Sequence, residues 1–257
     1  MIKMEVHHHA HTERKKWTHY FWEFIMLFLA VFCGFLAEYQ LEHKIEKDRE
    51  KQYIKSYAED LAADTSEFNR RIKVCETTIN VADSLVLLLG HSEREKFAGD
   101  IYYFFRFIHR GAPFTVNDRT IIQLRNAGGM RLVSNKTVSD SMINYYKDVD
   151  FIKWIFEEQT EMKRSLRPQF NQILYANDFS KVIDDQNRVI RPTEILKLKP
   201  AGDESLNTLM LIITNIKGIN QGIRLRLIEL KEKAIKIRKF INEAYHLSSD
   251  RRTPLEE

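Results

Sequence analysis

Histidines crowd the start of the chain, at His7, His8, His9, His11 and His19. Imidazole nitrogens bind Zn, Ni or Cu when several converge, so His7, His8, His9 and His11 are metal-ligating candidates. A terminal tract brings no preformed geometry, and adventitious binding is the competing reading. Glu23 is the only charge between Tyr20 and Ala37. A carboxyl in hydrocarbon costs on the order of 2.5–3.5 kcal/mol at the bilayer centre, which makes Glu23 a candidate for proton or ion handling or for a helix–helix contact. It stands near one end of the apolar run, however, where it can snorkel to the interface or pair with Lys16 or with His19, one helical turn away. Glu38, directly after the run, is a further candidate at the membrane.

Elsewhere the chemistry is sparse. No His-Glu-x-x-His, Gly-x-Ser-x-Gly, Cys-x-x-Cys or EF-hand loop occurs, so the local signatures of hydrolases, zinc sites and calcium sites are missing. His91, His109 and the Asp184-Asp185 pair lack ordering partners at diagnostic spacing and read as surface or turn residues. Gly128-Gly129 follows no strand and carries no Gly-Lys, so it is a helix terminator and not a phosphate loop. No catalytic residue and no cofactor is expected.

The element that must position Glu23 is the run Tyr20 to Ala37, eighteen residues that span about 27 Å at ~1.5 Å per residue. Trp17, Tyr20 and Trp22 on one side and Tyr39 on the other sit where interfacial aromatics belong, and Arg14-Lys15-Lys16 precede the run. No small-x-small cleavage site follows, so an uncleaved membrane-spanning helix is expected over 17–40. Basic residues are nearly balanced across it, but the compact cluster before the helix and the acidic Glu38 and Glu42 after it favour a cytoplasmic N-terminus and an external C-terminal part. Ala30, Gly34 and Ala37 give a small-residue face that permits close helix packing.

Beyond the run, no Gly or Pro occurs from Phe35 to Leu89, and the helix is expected to continue as a stalk over 41–90 until Gly90 ends it. Apolar residues at Tyr57, Leu61, Phe68, Ile72, Cys75, Ile79, Ala82, Val86 and Leu89 form a stripe that Asp64 interrupts. The middle region, 91–200, holds a short aromatic helix at 101–108 that Asp100 can cap and Gly111-Ala112-Pro113 stops, and a helix capped by Asn117 or Asp118 and carrying Ile121, Ile122 and Leu124. A long helix follows, opened by Asn135 or Thr137, through Ile143, Tyr146, Val149, Ile152, Trp154 and Phe156 to about Leu166, with Pro168 as a kink or break. A small hairpin fits around Asp184 to Asn187. The last helix, within 201–247, repeats Leu209, Ile213, Ile216, Ile223, Leu227, Leu230, Ala234, Ile237 and Ile241 at a 4-3 spacing, with Asn220 in the missing slot, a pattern that implies a bundle or coiled coil and a register-fixing polar residue. The stripe could pair with the 57–89 helix or with its own copy in an oligomer. Its outer face is basic, with Lys217, Arg224, Arg226, Lys231, Lys233, Lys236, Arg238 and Lys239 against Glu229 and Glu232. Residues 1–16 and 248–257 are tails.

Composition agrees with this reading. Nine Gly and five Pro among 257 residues are few for a turn-rich β fold. Lys+Arg 40 against Asp+Glu 36 gives +4, too mild to require a nucleic-acid partner. Two cysteines, one of them in the apolar run, offer no disulfide framework. The expected fold class is all-α, an N-terminal transmembrane helix continuing into a long-helix bundle or coiled-coil soluble domain.

The segment Arg14-Lys15-Lys16-Trp17-Thr18-His19-Tyr20-Phe21-Trp22-Glu23-Phe24, with Leu27 to Val31 and Gly34 to Glu38, resembles an uncharacterised family of single-pass membrane proteins from Bacteroidetes-type bacteria, a domain of unknown function. The similarity extends to Arg49 to Tyr53 and Asp60-Leu61. It is looser over Asn117 to Thr120, Leu124, Gly128-Gly129, Leu132-Val133 and Asn144 to Tyr146, and covers about half the chain. It implies a bacterial inner-membrane anchor, a helical soluble part and a native His-rich start, and it carries no catalytic residues. The expected role is non-catalytic, a membrane-anchored helical scaffold or sensor module, with the lipid bilayer, further copies of the chain and an unknown protein as partners. The alternative is an oligomeric channel or ion-driven transport subunit that uses Glu23. A third class is an enzyme whose site is assembled in the middle region.

Overall fold

The computed structural model of the chain describes residues 16–111, 113–126 and 128–247. Among the described residues the protein is all-α: α1 (Trp17–Leu89), α2 (Ala98–Ile108), α3 (Arg119–Asn126), α4 (Lys136–Ile173), α5 (Ala176–Ser180) and α6 (Asp203–Ala244), with 3-10 turns at Arg94–Phe97 and Gly129–Leu132. Two compact units divide between Glu50 and Lys51.

The first unit is the N-terminal part of α1. Its eighteen-residue apolar window has a mean hydropathy of 2.0 and is 0% buried, and α1 is the one helix among the described residues long and apolar enough to cross a membrane. Phe24, Phe28 and Phe32 stack along one side at i, i+4 spacing, with ring centroids 6.3 and 5.9 Å apart.

In the second unit, α1 from Lys51 onward, α4 and α6 supply the long helices. Two apolar clusters form the core. One takes Ile54 to Cys75 from α1, Val138 to Phe156 from α4 and Ile223 to Ile241 from α6. The other takes Val81 to Leu89 from α1, Leu166 to Ile173 from α4 and Leu206 to Ile216 from α6, together with α2. In this part of the fold α1 and α4 therefore run the same way, and α6 runs opposite to both. The α6 stripe is buried within its own chain, from Leu209 to Ile241. Five of the eight basic residues flanking it find carboxylates: Lys217 on Asp83 at 2.6 Å, Arg224 on Glu76 at 2.9 Å, Lys233 on Asp148 at 2.6 Å, Arg226 on Glu229 and Lys239 on Glu243. Much of the basic face is thus met by α1, α4 and α6 itself.

Several boundaries follow local chemistry. Gly90 stops α1, and Asn135 caps α4 by accepting from the Val138 N–H at 3.2 Å. Gly128 takes φ +61° after α3, a conformation only glycine adopts without strain. The hairpin is reduced to one antiparallel bridge, Ile183 to Val189, with Asn187 at φ 60°. Other expectations need correction. Asp100 lies inside the first turn of α2, which starts at Ala98, and pairs with Arg191 instead of capping. α4 does not stop near Leu166 but runs through Pro168 to Ile173, because the flanking Leu166, Phe170 and Ile173 are anchored in the core and offset the lost backbone bond. Trp154 points outward, 54% exposed, while Met142, Tyr145 and Tyr146 take the core positions. Asp64 does not break the α1 stripe; it is buried in it.

Candidate functional site

The membrane candidates are simply placed. His19 Nε2 stands 3.6 Å from Glu23 Oε1 across one turn, and both side chains are about half exposed. The i, i+4 spacing therefore gives this carboxylate a partner on its own helix. Glu38, Ala30, Gly34 and Ala37 are exposed, and a Cβ added at Gly34 would meet nothing within 4 Å. The small-residue face is open. His7, His8, His9 and His11 lie outside the described residues, and among the described residues no group of three or more His, Cys, Asp or Glu side chains converges for a metal.

The turn and surface candidates have local roles. His91 Nδ1 accepts the Glu93 N–H at 3.0 Å. Asp184 accepts the Gln186 and Arg188 N–H groups and the Arg188 guanidinium, which hold its carboxyl below the usual range. His109, at the end of α2, is different. Its Nδ1 is 3.0 Å from the Phe105 carbonyl, so the ring donates there, and burial together with Arg106, Arg167 and Arg110 pushes its pKa down.

Two sets of buried charge emerge that spacing alone did not assign. The first is acidic. Asp60 and Asp64, one turn apart on α1, are 4% and 0% exposed. Asp60 accepts the Thr120 N–H at 3.2 Å and the Thr120 hydroxyl, and the Arg119 guanidinium at 3.2 Å. Asp64 accepts the Asn117 N–H at 2.7 Å, the Asn117 amide at 3.2 Å and the Tyr145 hydroxyl at 2.7 Å. The two carboxylates clamp the start of α3, where unsatisfied N–H groups and the helix dipole favour negative charge. Burial raises the Asp64 pKa, partly offset by the hydrogen bonds from Asn117 and Tyr145. Tyr57, behind them, is a buried hydroxyl with no hydrogen-bond partner among the described residues.

The second set lies between the two apolar clusters, where each long helix contributes buried polar residues: Thr78 on α1, Gln159 and Lys163 on α4, and Asn220 on α6. Gln159 Nε2 donates to Asn220 Oδ1 at 2.8 Å, and Asn220 Nδ2 donates to the Ile216 carbonyl at 2.7 Å. The expected register-fixing residue therefore has its partner inside the same chain. Lys163, 7% exposed, donates to the Arg110 carbonyl at 2.8 Å. Burial brings its pKa down to about 8, with the Cys75 thiol opposing and Arg71 adding to the shift. The same burial pushes the Cys75 thiol up to about 11, which leaves it protonated and unreactive at neutral pH. A signal for Lys163 was present in the sequence, since Ile152, Phe156, Gln159, Lys163, Leu166, Phe170 and Ile173 continue a 4-3 repeat along α4 with two polar members.

Lys163 opens onto a cavity of about 490 Å³ bounded by α4 and the segment after α2, with Pro113, Phe114 and Phe156 as its apolar wall. Comparison with known proteins adds no relative, because no family model, curated protein or solved structure matches the chain.

Proposed function

We propose that the protein is a non-catalytic, membrane-anchored helical module of the scaffold or sensor type. One observation carries this reading: α1 presents a fully exposed eighteen-residue apolar window, whereas α4 and α6 bury their apolar stripes. Leaving so much contiguous apolar surface in water is strongly unfavourable, and a lipid bilayer is the surrounding that removes the penalty. The Arg14 to Lys16 cluster supports a cytoplasmic N-terminus with the bundle in the periplasm, and the resemblance to Bacteroidetes-type proteins supports a bacterial inner membrane. The open face of Ala30, Gly34 and Ala37 supports association with further copies, and a protein partner completes the scaffold reading.

The alternative, a pore or transport subunit built around Glu23, draws on a carboxylate within the apolar helix. The His19 pairing supplies a structural reason for that carboxylate instead. Proton and cation flux into liposomes containing the full chain, compared with Glu23→Gln, distinguishes the two. The scaffold reading expects no flux that depends on Glu23; flux abolished by Glu23→Gln would replace it with the pore.

A further inference from the structure

The bundle carries more positive charge in one place than its own carboxylates answer. A second cavity, also about 490 Å³, adjoins the first through His109 and Arg167 and is closed by Phe170, Leu174, Tyr175 and Phe179. Around the two cavities stand Lys153, Lys163, Arg164, Arg167 and Lys199 against Glu157 and Glu161. Some of these charges are spoken for: Lys153 pairs with Asp118, and Arg164 with Glu161. Lys163 donates to the Arg110 carbonyl and Lys199 to the Asn171 carbonyl while standing over the Tyr175 ring at 5.5 Å; neither forms an ion pair with a described carboxylate, and Arg167 forms no ion pair with a described residue.

The walls behind repeat the pattern. Arg106 lies over the Phe179 ring at 3.5 Å and donates to the Phe179 carbonyl, yet its Nε is buried without a hydrogen-bond partner among the described residues. Arg110 donates to the Asn187 carbonyl. No carboxylate answers either one among the described residues. Of these cations Lys163 is the buried one, and its ammonium has a backbone carbonyl and no carboxylate as partner; a buried cation without a counter-charge is unfavourable, and such an arrangement is expected where a ligand supplies the missing charge.

We propose that this double cavity is a binding site for an organic anion, a carboxylate or phosphate group on an apolar body, with the acid held by Lys163 and Arg167 and the body lying against Phe114 and Phe156 or against Phe170 and Leu174. Three features fit. Lys163 and Arg167 both line the first cavity, Arg167 and His109 line both cavities, and each cavity offers an apolar wall. The inference goes beyond the membrane-anchoring reading and stands on the bundle alone. The same chemistry could be delivered by a soluble organic acid or by an anionic lipid headgroup.

The test is calorimetric titration of the full chain in nanodiscs of zwitterionic lipid with phenyl phosphate and phenylacetate, with uncharged phenylacetamide as the control. Saturable binding of one acid per chain is expected, with the amide at least about tenfold weaker because charge-assisted contacts are lost. Lys163→Met and Arg167→Gln should each weaken the acid by about tenfold or more. Arg167 is exposed, so its variant tests the site even if the buried position alters packing. The histidine ring resonance of His109 should move on titration, and binding should weaken above pH 8 as Lys163 loses its proton. Nanodiscs containing anionic lipid separate the sources: unchanged titration points to a soluble acid, and competition that disappears in Arg167→Gln points to a lipid headgroup. Absence of saturable acid binding in either nanodisc, equal binding of the amide, or acid binding indifferent to both variants would overturn the proposal.

Discussion

The acidic clamp of Asp60 and Asp64 and the cationic cavity around Lys163 are both buried charge inside one bundle, and they are resolved in opposite ways. Each clamp carboxylate is surrounded by donors from α3 or its approach, and Tyr145 completes Asp64. The charge is converted into a tertiary fastening that holds α3 and the loop before it against α1. Around Lys163 the ammonium has a backbone carbonyl and no carboxylate as partner, and open volume remains beside it. Buried charge that is completed from within specifies structure; buried charge left incomplete beside a cavity calls for a ligand.

The comparison breaks most visibly at Asp64. Asp64→Ala strands the Tyr145 hydroxyl and the Asn117 N–H in the interior and is expected to destabilise the bundle by about 2–4 kcal/mol, measured by denaturant unfolding of the full chain in detergent. A loss below about 0.5 kcal/mol would mean that the clamp is ornamental.

Lys163 should behave in the opposite sense. Its folded pKa, near 8, lies below the ordinary 10.5, so the native state holds the charged form at a cost that is fully present below about pH 8. The cost is relieved between about 8 and 10.5. Lys163→Met is therefore expected to stabilise the protein at pH 7 by about 1–3 kcal/mol, with the gain shrinking as pH rises through that window. A destabilised variant, or a gain that ignores pH, would place Lys163 with Asp64 among the completed charges.

The smallest effect sharpens the comparison within the clamp. Tyr57 is the one hydroxyl there without a partner among the described residues, so Tyr57→Phe removes a buried unsatisfied group and should stabilise the bundle by about 1 kcal/mol, a rise of a few degrees in melting temperature. A large loss would show that the hydroxyl is engaged in solution.

Much of the architecture was legible along the chain because it is written at short range. The α6 stripe with Asn220, the stop at Gly90, the cap at Asn135 and the His19–Glu23 pairing all follow from spacings of three and four residues or from single turn-forming residues. What stayed hidden was assembled at long range. Asp64 looked like an interruption because its partners, Asn117 and Tyr145, lie 53 and 81 residues away. Lys163 was marked along the chain only as a polar member of the α4 repeat, because its partner, the Arg110 carbonyl, lies 53 residues away. The basic outer face of α6 shows the same limit from the other side, since the carboxylates that meet it at Asp83, Glu76 and Asp148 belong to α1 and α4. Pro168 misled because local helix-breaking tendency yielded to the core anchors on either side of it.

The central claim, that the exposed apolar window of α1 anchors a separately packed helical bundle to a lipid bilayer, is tested most directly by flotation of membranes washed with alkaline carbonate. The full chain should float with the lipid. A Leu29→Arg and Phe32→Arg double variant, which places two charges in the window at about 2.5–3.5 kcal/mol each on insertion scales, should leave the lipid fraction while keeping its helical circular-dichroism signal. Recovery of the unaltered full chain in the carbonate wash, or flotation indifferent to the two arginines, would contradict the account.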